Sequence, residues 1–167
     1  MSVTWASPAA AGDGWRTAAD AGVAGLAILA AGKTTAESDR AGAGQLALSL
    51  GATAGSAAVL KRALPEMRPN GRNDRSFPSG HTAVAFAAAG YLHQRYGWEW
   101  GVPAAAIATM VGVARIRSHD HHWYDVVAGA ALGEATAFLI TKPRDDGVVI
   151  MPWTTRSGAG VSLAARF

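Results

Sequence analysis

The chain has 167 residues, half of them apolar, a net charge of +3 and no cysteine. That length fits one domain with a single core, and the missing cysteines exclude disulfides and thiolate chemistry while leaving the redox compartment open. The basic residues gather at Lys61, Arg62, Arg68, Arg72 and Arg75 without interleaved aromatics, which points to an anionic ligand and away from nucleic acid.

The predicted fold is all-α: an up-and-down bundle of about five helices, followed by a short β-hairpin-like tail. No basic stretch followed by an apolar run marks Met1 to Gly14, so no signal peptide is read there. The first helix is expected from about Gly14 to Ala31 and the second from about Arg40 to Leu64. A third starts after Ser79 and ends near Tyr96, where Gly97 is a natural stop. The fourth covers about Trp98 to Ile116, with Pro103 near its first turn, and the fifth Trp123 to Thr141, ahead of Pro143. Val148 to Met151 and Val161 to Ala164 read as two short strands around a Ser/Gly turn. The chain thus divides into a helical domain, 1–144, and a tail, 145–167.

Apolarity here comes mainly from Ala and Gly, and small residues let helices approach closely, in membranes as in water. Residues 41 to 60 form a run of twenty without a charge, long enough to cross a bilayer. Asp20 and Glu134 interrupt the first and fifth helices, so a soluble bundle stays open beside a membrane one. Helix parity gives an independent test. In an up-and-down bundle the loop between helices two and three lies at the same end as the loop between four and five. Lys33, Arg40, Arg95, Lys142 and Arg144 then fall at the opposite end and, in a membrane, would mark the cytoplasmic face.

Those two loops and their flanks carry the distinctive residues. Lys61, Arg68 and Arg115 can neutralise a phosphate, the arginines through their planar, always-charged forks. Ser79 is placed as the N-cap of the third helix, and the Gly80 amide lies at the positive end of its dipole, where anions bind. His121 and Asp125 are four apart, so on a helical turn the carboxylate can orient the imidazole. That pair suits His121 as a nucleophile, with His81 as acid for the leaving group. The run His119-Asp120-His121-His122 also permits reading as a metal site, but no second cluster with ligand spacing completes it.

Three spaced motifs are present: Lys61, six residues, Arg68-Pro69; Pro78-Ser79-Gly80-His81; and Arg115, five residues, His121, three residues, Asp125. In this the chain resembles the type 2 phosphatidic acid phosphatase superfamily, over about residues 40 to 141. That superfamily includes lipid phosphate phosphatases, bacterial acid phosphatases and vanadium haloperoxidases. The one departure is Ala114, where the family pattern has Ser. The resemblance implies an all-helical hydrolase of phosphate monoesters or pyrophosphates that needs no metal or other cofactor. It implies phosphate contacts from Lys61, Arg68, Ser79, Gly80 and Arg115, with His121 as nucleophile, His81 as acid and Asp125 orienting His121. The expected substrate is a lipid phosphate such as phosphatidate or undecaprenyl pyrophosphate. The expected location is a bacterial inner membrane with the site on the periplasmic face. A soluble periplasmic acid phosphatase is the alternative.

Overall fold

The computed structural model describes residues 8–144, 149–155 and 158–164. Five helices make up the body: α1 (Pro8–Ala36), α2 (Arg40–Ala63), α3 (Gly80–Tyr96), α4 (Trp98–Arg117) and α5 (Trp123–Ile140). Two antiparallel strands follow, β1 (Val149–Thr155) and β2 (Gly158–Ala164), in a register pairing Thr155 with Gly158. The expected hairpin is therefore present, with longer strands than predicted. Val148 and the 144/145 boundary lie outside the described residues or at their edge.

Helix α1 is longer than expected at both ends. Pro8 opens it, a residue whose missing N–H is harmless at a helix start. At the other end Thr34 and Thr35 donate back to the carbonyls of Ala30 and Ala31, and Lys33 pairs with Glu37 one turn on, which carries the helix past Gly32. It stops where Ser38 adopts a positive φ of 53°. Asp39 then caps α2 by accepting from the Gly42 amide at 2.8 Å. Helices α3 and α4 meet at Gly97, whose φ of 89° suits glycine.

The helices alternate in direction. Arg16 near the start of α1 reaches Asp120 beyond the end of α4 at 3.0 Å, and Asp20 reaches His81 at the start of α3 at 2.8 Å. Asp39, between α1 and α2, meets Arg95 near the end of α3 at 2.7 Å. The loops 64–79 and 118–122 accordingly share one end of the bundle, as parity requires.

Helix α3 packs against all four other helices, and Thr82 to Leu92 are largely buried along it. Its closest neighbour is α5, which presents Gly129 and Gly133 to it. A Cβ on Gly129 would stand 2.5 Å from the Ser79 carbonyl oxygen, and one on Gly133 would collide with the Ala83 carbonyl. These glycines bring two helix backbones into contact and draw the start of α3 onto the start of α5. The distribution of apolar residues is inverted relative to a water-soluble core. Alanines dominate the interior, including Ala83, Ala85, Ala88, Ala104 and Ala108, whereas Ile28, Leu48, Val59, Met110, Phe138 and Leu139 are exposed. Among the described residues two helices, α2 and α5, are long and apolar enough to cross a membrane.

Candidate active site

Local structure in the two loops delivers the functional groups. Backbone bonds from Glu66 to Asp74 and from Arg68 to Asn73 fold residues 66–76 back on themselves. The Asn73 side chain accepts from Arg68 Nε at 2.9 Å, which holds that guanidinium across its own loop. Lys61 Nζ donates to the carbonyls of Arg75, Ser76 and Pro78 at 2.9, 3.1 and 2.5 Å. Its ammonium thus pins the loop to the end of α2, where it still adds positive charge to the site. The Phe77–Pro78 peptide is cis. The Ser79 amide donates to the Asp125 carbonyl at 3.0 Å, joining the starts of α3 and α5.

The expected cap at Ser79 is corrected in one respect. Ser79 occupies the N-cap position, but its hydroxyl makes no capping bond and pairs with Thr82 Oγ1 at 2.9 Å. The whole side chain is buried, so packing into the α3–α5 contact takes precedence over capping. Gly80 stands beside the Lys61 stem, 3.8 Å from where its Cβ would be.

His121 is buried, and its Nδ1 lies 3.5 Å from Asp125 Oδ2. That oxygen also accepts from the Ser76 hydroxyl at 2.5 Å and from the His122 amide at 2.8 Å. The carboxylate is therefore held rigidly within ion-pair reach of the imidazole rather than in a short hydrogen bond to it. Burial pushes the His121 pKa down to about 3, helped by Arg115, Lys61 and Arg68 and opposed by Asp125. The free imidazole is consequently neutral at any physiological pH, the form a nucleophile needs. His81, at the start of α3, pairs through Nε2 with Asp20. The fields of Arg68 and Arg115 reach both His81 and His121.

Arg68 and Arg115 converge on one carboxylate, Asp120, at 3.7 and 3.1 Å. The site thus unites Lys61, Arg68, Ser79, Gly80, His81, Arg115, His121 and Asp125 at one end of the bundle. It also contains residues that sequence reasoning did not assign: Arg16, Asp20, Asn70, Ser76 and Asp120. Two of these had a visible signal. Arg16 and Asp20 are charges on an Ala-rich helix, and Asp20 interrupts an otherwise apolar stretch, the kind of position that calls for a partner.

The run from His119 to His122 does not converge as a metal site. His119 is exposed with a φ of 56°, Asp120 faces arginines, His121 faces Asp125, and His122 lies between Glu66 and Asp125. Glu66, His122 and Asp125 do bring one ligand atom each within 4.8 Å of the others. Protein hydrogen bonds already engage two of the three, from Ser76 to Asp125 and from the Tyr124 hydroxyl to Glu66.

Beside the charged residues runs a groove of about 310 Å³ lined by Val23, Ala54, Ala57, Ala58 and Val84, with Lys61, Gly80 and His81 at its polar end. A wider cavity of about 560 Å³ reaches His121 from the side of Trp15, Pro69 and His119.

A model of the PAP2 superfamily matches residues 42–146, which contain all three motifs. The chain belongs to the PAP2 superfamily. It is 40% identical over 77 residues to the lipid A 1-phosphatase of Porphyromonas gingivalis, a match covering 44% of this chain and 17% of that protein. It is 35% identical over 75 residues to the lipid A 4'-phosphatase of Helicobacter pylori, covering 45% of this chain and 38% of that one. The PAP2 chain described here therefore matches well under half the length of these curated relatives. The crystal structure of Aquifex aeolicus LpxE shares the fold, with a TM-score of 0.56 and 23% identity over 70% of this chain and 81% of that one.

Proposed function

We propose that this PAP2 protein is a phosphatase of lipid phosphates that works without a metal, through a phosphohistidine formed on His121. The observation that carries this reading is a buried histidine beside a carboxylate, within the field of Arg68 and Arg115, at the bundle end where an apolar groove meets Lys61, Gly80 and His81.

The chemistry follows from these groups. Arg68, Arg115 and the charge of Lys61 neutralise the non-bridging oxygens, and the amides at the start of α3 add their dipole. The far ring nitrogen of His121, neutral, attacks phosphorus while Asp125 supports the positive charge that develops on the ring. His81 gives a proton to the leaving oxygen and then takes one from the water that hydrolyses the phosphohistidine. The groove is apolar along its length and basic at one end, which suits a hydrocarbon chain tethered to a phosphate. Exposed Ile, Leu, Val and Phe side chains around an alanine interior suit a bilayer, with Lys33, Arg95 and Lys142 on the cytoplasmic side and the site facing the periplasm. Residues 1–144 form the catalytic domain and 145–167 an appended tail.

The test is phosphate release by the detergent-purified chain from phosphatidate, undecaprenyl pyrophosphate, lipid A and p-nitrophenyl phosphate, each with EDTA. Lipid substrates are expected to be cleaved fastest, at rates indifferent to the chelator, and acid-quenched enzyme should carry phosphate on His121. Loss of activity with EDTA would overturn the metal-free reading. Full activity in a detergent-free soluble fraction, with p-nitrophenyl phosphate preferred, would replace it with the soluble acid phosphatase.

A further inference from the structure

The reaction just described leaves one buried carboxylate without a task. Asp120 is 2% exposed and sits immediately before His121. Its Oδ1 accepts from Asn70 Nδ2 at 2.7 Å and lies 3.7 Å from Arg68 Nη1. Its Oδ2 accepts from Ser118 Oγ at 2.9 Å and from Arg16 Nε at 3.0 Å, and lies 3.1 Å from Arg115 Nη2. One carboxylate therefore gathers partners from α1, the 64–79 loop, the end of α4 and its own loop.

Such a group is costly beside a phosphate site, because it competes with the substrate for the same cations. Its partners suggest what it offers in return. Arginine is long and rotamer-rich, and it stabilises a transition state only if its fork already points at the phosphoryl oxygens. Asp120 lies within ion-pair reach of one Nη of each arginine; Arg68 Nε is held by Asn73, and Arg115 Nε is buried without a hydrogen-bond partner. Three guanidiniums around one carboxylate carry a net charge of +2, counting Arg16, Arg68 and Arg115 against Asp120. A phosphate monoester dianion has the complementary charge.

We infer that Asp120 is a positioning residue that sets the two phosphate-gripping arginines for the transition state, with Arg16 and Asn70 bracing it from α1 and the 64–79 loop. This rests on the phosphatase reading and adds to it a residue whose identity the three motifs leave unspecified.

The experiment compares wild type, Asp120→Asn and Asn70→Ala as full chains in detergent, with His121→Ala as control. It measures kcat, KM and calorimetric binding of vanadate, which adopts the trigonal-bipyramidal shape, and of inorganic phosphate. For Asp120→Asn, kcat/KM is expected to fall about 100-fold and vanadate to bind more than about tenfold more weakly. Phosphate affinity should stay within about threefold, since the lost negative charge offsets the lost alignment. A purely structural role lowers the folded fraction and leaves both dissociation constants unmoved. Unchanged vanadate affinity would therefore overturn the inference, whether or not kcat falls. Should Asp120→Asn not fold, Asn70→Ala decides: about threefold weaker vanadate binding supports the inference and wild-type binding overturns it. Binding needs no turnover. A wild type that releases no phosphate thus defeats the proposed function and leaves the vanadate comparison readable.

Discussion

At the end away from the motifs, every guanidinium nitrogen of Arg95 donates to protein. Nε and Nη2 go to Asp39 at 2.7 Å each, and Nη1 goes to the carbonyls of Lys142 and Pro143. Asp39 in turn accepts from Tyr96 Oη at 3.0 Å and from the Gly42 amide, while Tyr91 and Thr34 extend the network inward. At the motif end the charges are as numerous but unevenly matched. Arg115 Nε, His121 Nδ1 and Asp125 Oδ1 are buried without a hydrogen-bond partner. Buried polar atoms of that kind cost free energy unless something supplies their bonds. The first network ties α1, α2 and α3 together with the chain beyond α5. In the second, Arg115 Nε is a donor that an anion could satisfy, whereas His121 Nδ1 and Asp125 face one another. At the first end every guanidinium nitrogen of Arg95 has a protein partner; at the motif end Arg115 Nε has none.

This contrast can be broken by substitution. The largest effect is expected for His121→Ala, which removes the proposed nucleophile. Phosphate release should drop by about a thousandfold or more with little change in melting temperature. A rate within tenfold of wild type would mean that another group attacks. Next comes Arg115→Lys, which keeps the charge and loses the fork. A fall of about 100-fold in kcat/KM is expected, and full activity would show that a point charge suffices.

The opposite end should respond in the reverse sense. Asp39→Ala leaves Arg95 uncompensated between side chains that are 8% and 5% exposed in the native pair. Stability is expected to fall by about 3 kcal/mol, read from thermal unfolding in detergent, while kcat per folded molecule stays within about twofold. A variant that is stable but inactive would erase the distinction between the two ends.

The smallest effect sharpens the site itself. A histidine pKa depressed to about 3 means that the folded free enzyme loses its neutral nucleophile only near that pH, not near the ordinary 6.5. In kcat/KM, corrected for substrate ionisation at about pH 6, the acid side should change by less than about threefold between pH 5 and 4. The alkaline side should fall as His81, the proposed acid, loses its proton. A unit-slope acid limb centred near pH 6.5 would show that His121 is not desolvated as the structure has it.

How far the molecule could be read beforehand varies with the kind of interaction. Helix number, order and direction were legible, because turn residues such as Gly97 and Pro143 and uncharged runs such as 41–60 are local signals. The length of α1 was not, since its last turn is also held by Thr34 meeting Tyr91 and Glu37 meeting Arg144, partners far along the chain. Each motif residue was visible by spacing, and parity brought the motifs to one end. Asp120 was visible only as part of a histidine-rich run that also admitted a metal site. Arg16 appeared as one charge on an alanine-rich helix.

By itself the sequence determined the chemical repertoire: two histidines, a carboxylate at helical spacing, three cations and a helix start, on helices with small-residue faces. Those properties follow from residue identity and from the 3.6-residue period, which act over one or two turns. Tertiary structure alone decided that Lys61 grips the carbonyls of Arg75, Ser76 and Pro78, and that Asp120 collects Arg16, Arg68 and Arg115. Such partners are up to 104 residues apart along the chain. Their meeting depends on how closely Gly129 and Gly133 let α5 approach α3, a distance set by packing in three dimensions.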